Sequence, residues 1–148
     1  MEFNHCPTEQ AKKRLDCWLQ LIRTYNHMQG EVASRLQKHA LTLPQYEVLS
    51  TLGVSSCTNQ QELAHRLQVT KGNLVGLIDR LTRRGWVERQ ADPEDRRVNK
   101  VSITEAGMDL LRKVWPDHLK AVEALTTPLH VDEVQVLQGL LKKLEGSR

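Results

Sequence analysis

No apolar run in the sequence approaches the ~20 residues that a membrane span needs. The start, MEFNHCPTEQ, has neither the basic residues nor the apolar stretch of a secretion signal. These absences predict a cytoplasmic chain with no membrane partner. Cysteine is scarce: Cys6, Cys17 and Cys57 are odd in number and widely scattered, which argues against a disulfide framework and against close-paired zinc spacing. There is no Gly-rich phosphate loop and no Gly-x-Ser-x-Gly nucleophile elbow. The six histidines, at 5, 27, 39, 65, 118 and 130, never fall at i, i+4 on one helix. His5-Cys6 is the nearest approach to a metal-like cluster, and it is only an adjacent pair. The expectation is therefore a non-enzyme without metal or cofactor.

What remains is the balance of an ordinary soluble domain, 148 residues with 39% hydrophobic and 26% charged. At this length roughly 68–70% of the unfolded chain's surface can be buried, so a core forms without a covalent or metal staple. The net charge of +3 says little, but its distribution says more. Residues 70–100 carry 8 basic and 5 acidic side chains, whereas residues 101–148 carry 6 and 7. A basic middle between nearly neutral flanks suits a nucleic-acid surface, and it also suits a solvated helix face.

From Thr8 to His39 there is no Pro and the one Gly is Gly30, while Leu15, Trp18, Leu19, Ile22, Val32 and Leu36 mostly keep helical spacing. One long helix is predicted. At ~30 residues it would span about 45 Å, more than a domain this small can cover, so a second copy of the chain is the simplest partner for its apolar stripe. Pro44 suits the first turn of a short helix with Tyr46, Val48, Leu49 and Leu52 inside. Thr58 with Gln61 reads as a capping box before Leu63, Ala64 and Leu67. Thr70 is a good N-cap for the next helix. Its Leu74, Leu77, Ile78 and Leu81 fall at i, i+3, i+4 and i+7, and Gly85 closes it.

After Gly85 the period changes. Trp86–Arg89 and Val98–Ile103 read as two strands of a hairpin around a charged tip. Thr104 caps another long helix carrying Met108, Leu111, Val114, Val122 and Leu125, which Pro116 could kink and Pro128 ends. Asp132–Leu144 forms the last, through Val134, Leu137, Leu141 and Leu144. The fold class is mainly α with a small β-hairpin wing. It divides into an N-terminal helix (1–40), a helix-turn-helix core with the hairpin (41–107) and C-terminal helices (108–148), together one structural domain.

A helix-turn-helix followed by a charged hairpin suits DNA, because the second helix can lie in a major groove with its N-terminal residues at base edges. Those residues are Thr70, Lys71, Gly72 and Asn73. Thr and Lys can reach phosphates or bases, and Asn can bond two ways to an adenine edge. Gly72 and Gly76 each cost roughly 1 kcal/mol against Ala in a helix, which close backbone approach to DNA would justify and loose packing would also explain. In the hairpin, Arg96 and Arg97 follow Asp92, Glu94 and Asp95, and Asp95 or Asp92 could orient an arginine into a minor groove.

The run LPQYEVLSTLG, followed by NQQELAHRLQVTKGNLVGLIDRLTRRGWVERQADPEDRRVNKVSITEAG, resembles the winged helix-turn-helix core of the multiple-antibiotic-resistance regulator (MarR) family of bacterial transcription factors. The most specific pieces are Asp79-Arg80-Leu81 with Gly85, then Asp92-Pro93-Glu94-Asp95-Arg96-Arg97, then Ser102-Ile103-Thr104-Glu105-Ala106-Gly107. The resemblance implies a homodimer that binds a near-palindromic double-stranded DNA operator as a transcriptional repressor, released by a small aromatic ligand or an oxidant. The DNA-facing set would be Thr70, Lys71, Gly72, Asn73, Gly76 and Arg80, with Asp95, Arg96 and Arg97 in the wing. The implied ligand pocket, between the dimerisation helices and the winged core, makes Trp18, Ile22, Tyr25, Met28 and Tyr46 its candidates, although these side chains also suit a core. Cys17 is the rival sensor, since oxidation of a thiol in the first helix would place a polar group in the dimer interface. A small winged-helix adaptor acting through protein contacts is the alternative.

Overall fold

The computed structural model describes residues 8–55, 57–91 and 99–146. Helix α1, Glu9–Gln37, starts at Thr8, whose side chain accepts from the Ala11 amide at 3.2 Å. Only Val32 and Leu36, near its C-terminal end, are buried. The chain reverses through Ala40 in the left-handed region (φ 54°) into α2, Leu43–Ser55, which buries Tyr46, Val48, Leu49 and Leu52. Strand β1, Cys57–Asn59, precedes α3, Gln60–Arg66, and α4, Lys71–Arg83. Strands β2, Val87–Ala91, and β3, Asn99–Ile103, follow, then α5, Glu105–Thr126, and α6, Val131–Glu145.

The winged core is knit by its predicted signals. Thr70 caps α4, accepting from the Asn73 amide at 3.3 Å, and Leu74, Leu77, Ile78 and Leu81 are all buried. Gly85 (φ 71°) ends it in a Schellman turn: its amide donates to the Thr82 carbonyl at 2.9 Å and the Trp86 amide to the Leu81 carbonyl at 3.1 Å. Helix α3 ends the same way but on Gln68 (φ 53°), a residue that holds the left-handed conformation less easily than glycine.

Two features differ from the sequence reading. The cap of α3 is Asn59, accepting from the Glu62 amide at 2.7 Å, and Thr58 instead lies buried in β1 with its hydroxyl donating to Glu62. The hairpin has a third strand: β1 and β2 both pair antiparallel with β3, in the order β1-β3-β2. Three residues of β1 are too few to show alternation, and only β3 supplies their backbone partners. The long helix expected after Thr104 is α5, which runs through Pro116.

Helix α5 packs along α1 and α2, burying Val114 and Ala121. Just beyond the end of α1, His39 Nε2 meets Oδ2 of Asp117, midway along α5, at 2.9 Å, and this hydrogen bond holds the Asp117 carboxyl below its ordinary value. By contrast α6 buries no residue, and Val134, Leu137, Leu140 and Leu141 stand exposed, as do Leu15, Trp18, Leu19 and Ile22 on α1. No described helix is long and apolar enough to cross a membrane.

Candidate nucleic-acid interface

One side of α4 is fixed in the core by its leucine stripe, so the opposite side faces outward by the helical repeat. Gly72 is exposed and Gly76 half-buried there, Asn73 and Arg80 are exposed on its flank, and Thr70 and Lys71 are exposed at the N-terminal end of the helix. The structure thus brings together the helix part of the predicted set. Among the described residues nothing demands either helical glycine. A Cβ on Gly72 would meet nothing within 4 Å, and one on Gly76 would touch only the Arg80 guanidinium at an ordinary 3.7 Å. Asp95, Arg96 and Arg97, with Asp92, lie outside the described residues.

The sheet beside α4 is locked to it by groups that sequence reading did not single out. Arg89, the third residue of β2, places Nη1 2.6 Å from Asp79 Oδ1 and donates from Nη2 to the Val75 carbonyl at 3.3 Å. Both acceptors belong to α4. Arg84, the C-cap of α4, stacks its guanidinium 4.4 Å over the Trp86 ring and donates to the Ala40 carbonyl at 2.6 Å. At the far end of the hairpin the Thr104 hydroxyl donates to the Gly85 carbonyl at 2.6 Å, and the Thr104 amide donates to Trp86 O at 3.0 Å. The recognition-helix position, the start of β2 and the start of α5 are therefore tied at one junction. The only sequence hint of the Arg89 link was the run containing Asp79.

The five candidate ligand residues do not converge within one chain. Tyr46 is buried (4% exposed) and faces the His118 ring at 4.5 Å, whereas Trp18, Ile22 and Tyr25 are exposed on α1 and Met28 is half-buried. Of the five, only Tyr25 lines the described cleft of about 780 Å³ between α1, the start of α2 and the α3–α4 turn. A smaller apolar cavity of about 370 Å³ lies between α2 and α5, lined by Gly53, Val54, Met108, Leu111 and Trp115 with Ser50 and Arg112. Cys17 is exposed on α1. His118 is partly buried, its Nδ1 has no partner, and burial lowers its pKa from the ordinary 6.5. Among the described residues no cluster of His, Cys, Asp and Glu could hold a metal ion.

Residues 41–98 match the family model described as "MarR family". The chain is 34% identical over 127 residues to the multiple antibiotic resistance protein MarR of Escherichia coli strain K12, covering 80% of this chain and 86% of that protein. It is 27% identical over 134 residues to the HTH-type transcriptional regulator MhqR of Bacillus subtilis, covering 90% and 92%. Among solved structures, a mutant MarR from E. coli complexed with operator DNA superposes with a TM-score of 0.84 at 28% identity, covering 89% of this chain and 95% of that one.

Proposed function

The chain belongs to the MarR family, and we propose that it is a transcriptional regulator that binds a near-palindromic DNA operator as a homodimer. The observation that carries this reading is the outward face of α4. A helix buried on its leucine side presents Lys71, Asn73 and Arg80 with two glycines whose missing side chains serve no packing within the chain. A backbone bared in this way allows close approach to a duplex, and the base-capable Asn73 sits in the first turn, where a recognition helix meets base edges. That a MarR relative of the same fold was solved with operator DNA supports the assignment.

The dimer reading rests on exposed apolar surface. Helix α1 is about 43 Å long from its 29 residues, yet only its last third is buried by its own chain. Leu15, Trp18, Leu19 and Ile22 on α1 and Leu137, Leu140, Leu141 and Leu144 on α6 form faces too apolar for a free surface. A second copy covering them is the simplest solution, with the two α4 helices reaching successive major grooves about 10 bp apart.

The test is selection of duplexes from a random-sequence pool, followed by titration of the enriched duplex and a shuffled version across a salt series. A near-palindromic sequence bound far more tightly than its shuffled form is expected. Lys71→Ala should weaken both duplexes and flatten the salt slope by about 0.9 per subunit, while Asn73→Ala should leave the slope and cost on the order of 1–3 kcal/mol on the selected duplex alone. No enrichment and no sequence preference would favour the adaptor reading.

A further inference from the structure

Arg89 stands apart from the other cations around α4 because it reaches the helix from the neighbouring strand and pairs with a carboxylate there, whereas Arg83, within α4, donates to the Asp79 carbonyl at 3.4 Å. Arg89 spans one helical turn, from the Asp79 carboxylate at 2.6 Å to the Val75 carbonyl at 3.3 Å. It does so from the strand that carries the wing, at the position paired with Val101 across the ladder. Val75 and Asp79 border Gly76 on the outward side of α4, since Leu74, Leu77 and Ile78 point inward. A planar fork can hold two acceptors in fixed directions, which a point-charge ammonium cannot.

We infer that Arg89 is a positioning residue of the DNA interface, setting the angle between the recognition helix and the wing through Asp79 and Val75 rather than contacting DNA. The inference rests on the DNA-binding reading above. Two facts favour it over a role for Arg89 as a phosphate contact. Two of its N–H groups are already given to α4, and removing it would take from the Asp79 carboxylate the ion-pair partner it has among the described residues, leaving a negative charge toward the phosphates of an approaching duplex. The pair is partly exposed, 31% for the Arg89 side chain and 45% for Asp79, so its contribution to folding stability is small and its geometric role is the larger one.

The test turns on a sign. Asp79→Asn removes a negative charge next to DNA, so charge alone predicts tighter binding to any duplex. Positioning predicts weaker binding to the selected duplex, by about tenfold, with the shuffled duplex and the salt slope little changed. Arg89→Gln should give the same loss, and Arg89→Lys should not rescue it, because lysine keeps the charge but not the fork. The double variant Asp79→Asn/Arg89→Gln should be no worse than the weaker single, as expected of two groups acting as one unit. Each titration is run below that variant's melting transition, and the amount of folded protein is fixed by circular dichroism. Two results would overturn the inference while leaving the DNA-binding reading intact: Asp79→Asn binding the selected duplex as tightly as wild type or more so, or Arg89→Lys restoring binding with Arg89→Gln flattening the salt slope on both duplexes. A wild-type protein that enriches no duplex would remove the reading and the inference together.

Discussion

Replacing Gly107 with alanine should destabilise the protein although it puts a better helix former into α5. Gly107 lies in the first turn of α5, where its amide donates to the Thr104 cap at 3.1 Å, and it is buried. A Cβ there would overlap the Trp86 carbonyl oxygen and come within 2.8 Å of Ile103 Cγ1. Neither neighbour is a free side-chain end. Trp86 O is backbone and accepts the Thr104 amide at 3.0 Å, and Ile103 is anchored in β3, paired with Val87. The gain in helix propensity is at most about 1 kcal/mol. Forcing a methyl group into a filled junction costs typically about 1–3 kcal/mol, and straining the Thr104–Trp86 hydrogen bond adds on the order of 1 kcal/mol. The net loss should be about 2 kcal/mol, which for a chain of this size lowers the melting temperature by roughly 4–8 °C. The control is Gly30→Ala in the interior of α1, where a Cβ would meet nothing within 4 Å among the described residues and propensity alone acts. That variant should gain up to about 1 kcal/mol. Thermal melts at one protein concentration compare the three proteins. A Gly107→Ala variant melting at or above wild type would show that the junction between β2, β3 and α5 is not as tight as its geometry requires.

Three further outcomes are expected. Leu137→Glu, on the exposed face of α6, should convert a particle of about twice 17.0 kDa into one of 17.0 kDa by light scattering, and an unchanged mass would place the dimer contact elsewhere. Gln68→Gly should stabilise by up to about 1 kcal/mol, because glycine adopts the left-handed turn (φ 53°) between α3 and α4 without strain; a lower melting temperature would contradict this. His118 should make the protein acid-sensitive. Its folded pKa lies below the ordinary 6.5, so the unfolded chain binds the extra proton first and stability falls as the pH drops through 6.5. His118→Phe, which keeps a ring against Tyr46, should lose less stability than wild type between pH 7.5 and pH 5, and parallel losses would clear His118 of that role.

The elements legible in the sequence are those made by residues a few positions apart. The leucine stripe of α4, the Thr70 and Thr104 caps and the Gly85 turn each follow from interactions within one helical turn, and each stands where the spacing placed it. The exposed side of α4 follows too, since fixing the buried stripe fixes its opposite. Strand β1 was not legible, because three residues acquire strand character only from β3, more than forty positions away. The inward side of α2 that carries Tyr46 was legible, but what covers it was not, for the His118 ring reaches Tyr46 only because α5 packs across α2. The two glycines 30 and 107 sit in helices and read the same in the sequence, yet one faces open space and the other a carbonyl. The Arg89–Asp79 link spans ten residues and carries no periodic signature, for it exists only because the turn at Gly85 folds β2 back along α4. Local hydrogen bonds and side-chain period are properties of neighbouring residues, whereas close approach between elements depends on how the whole chain folds over itself.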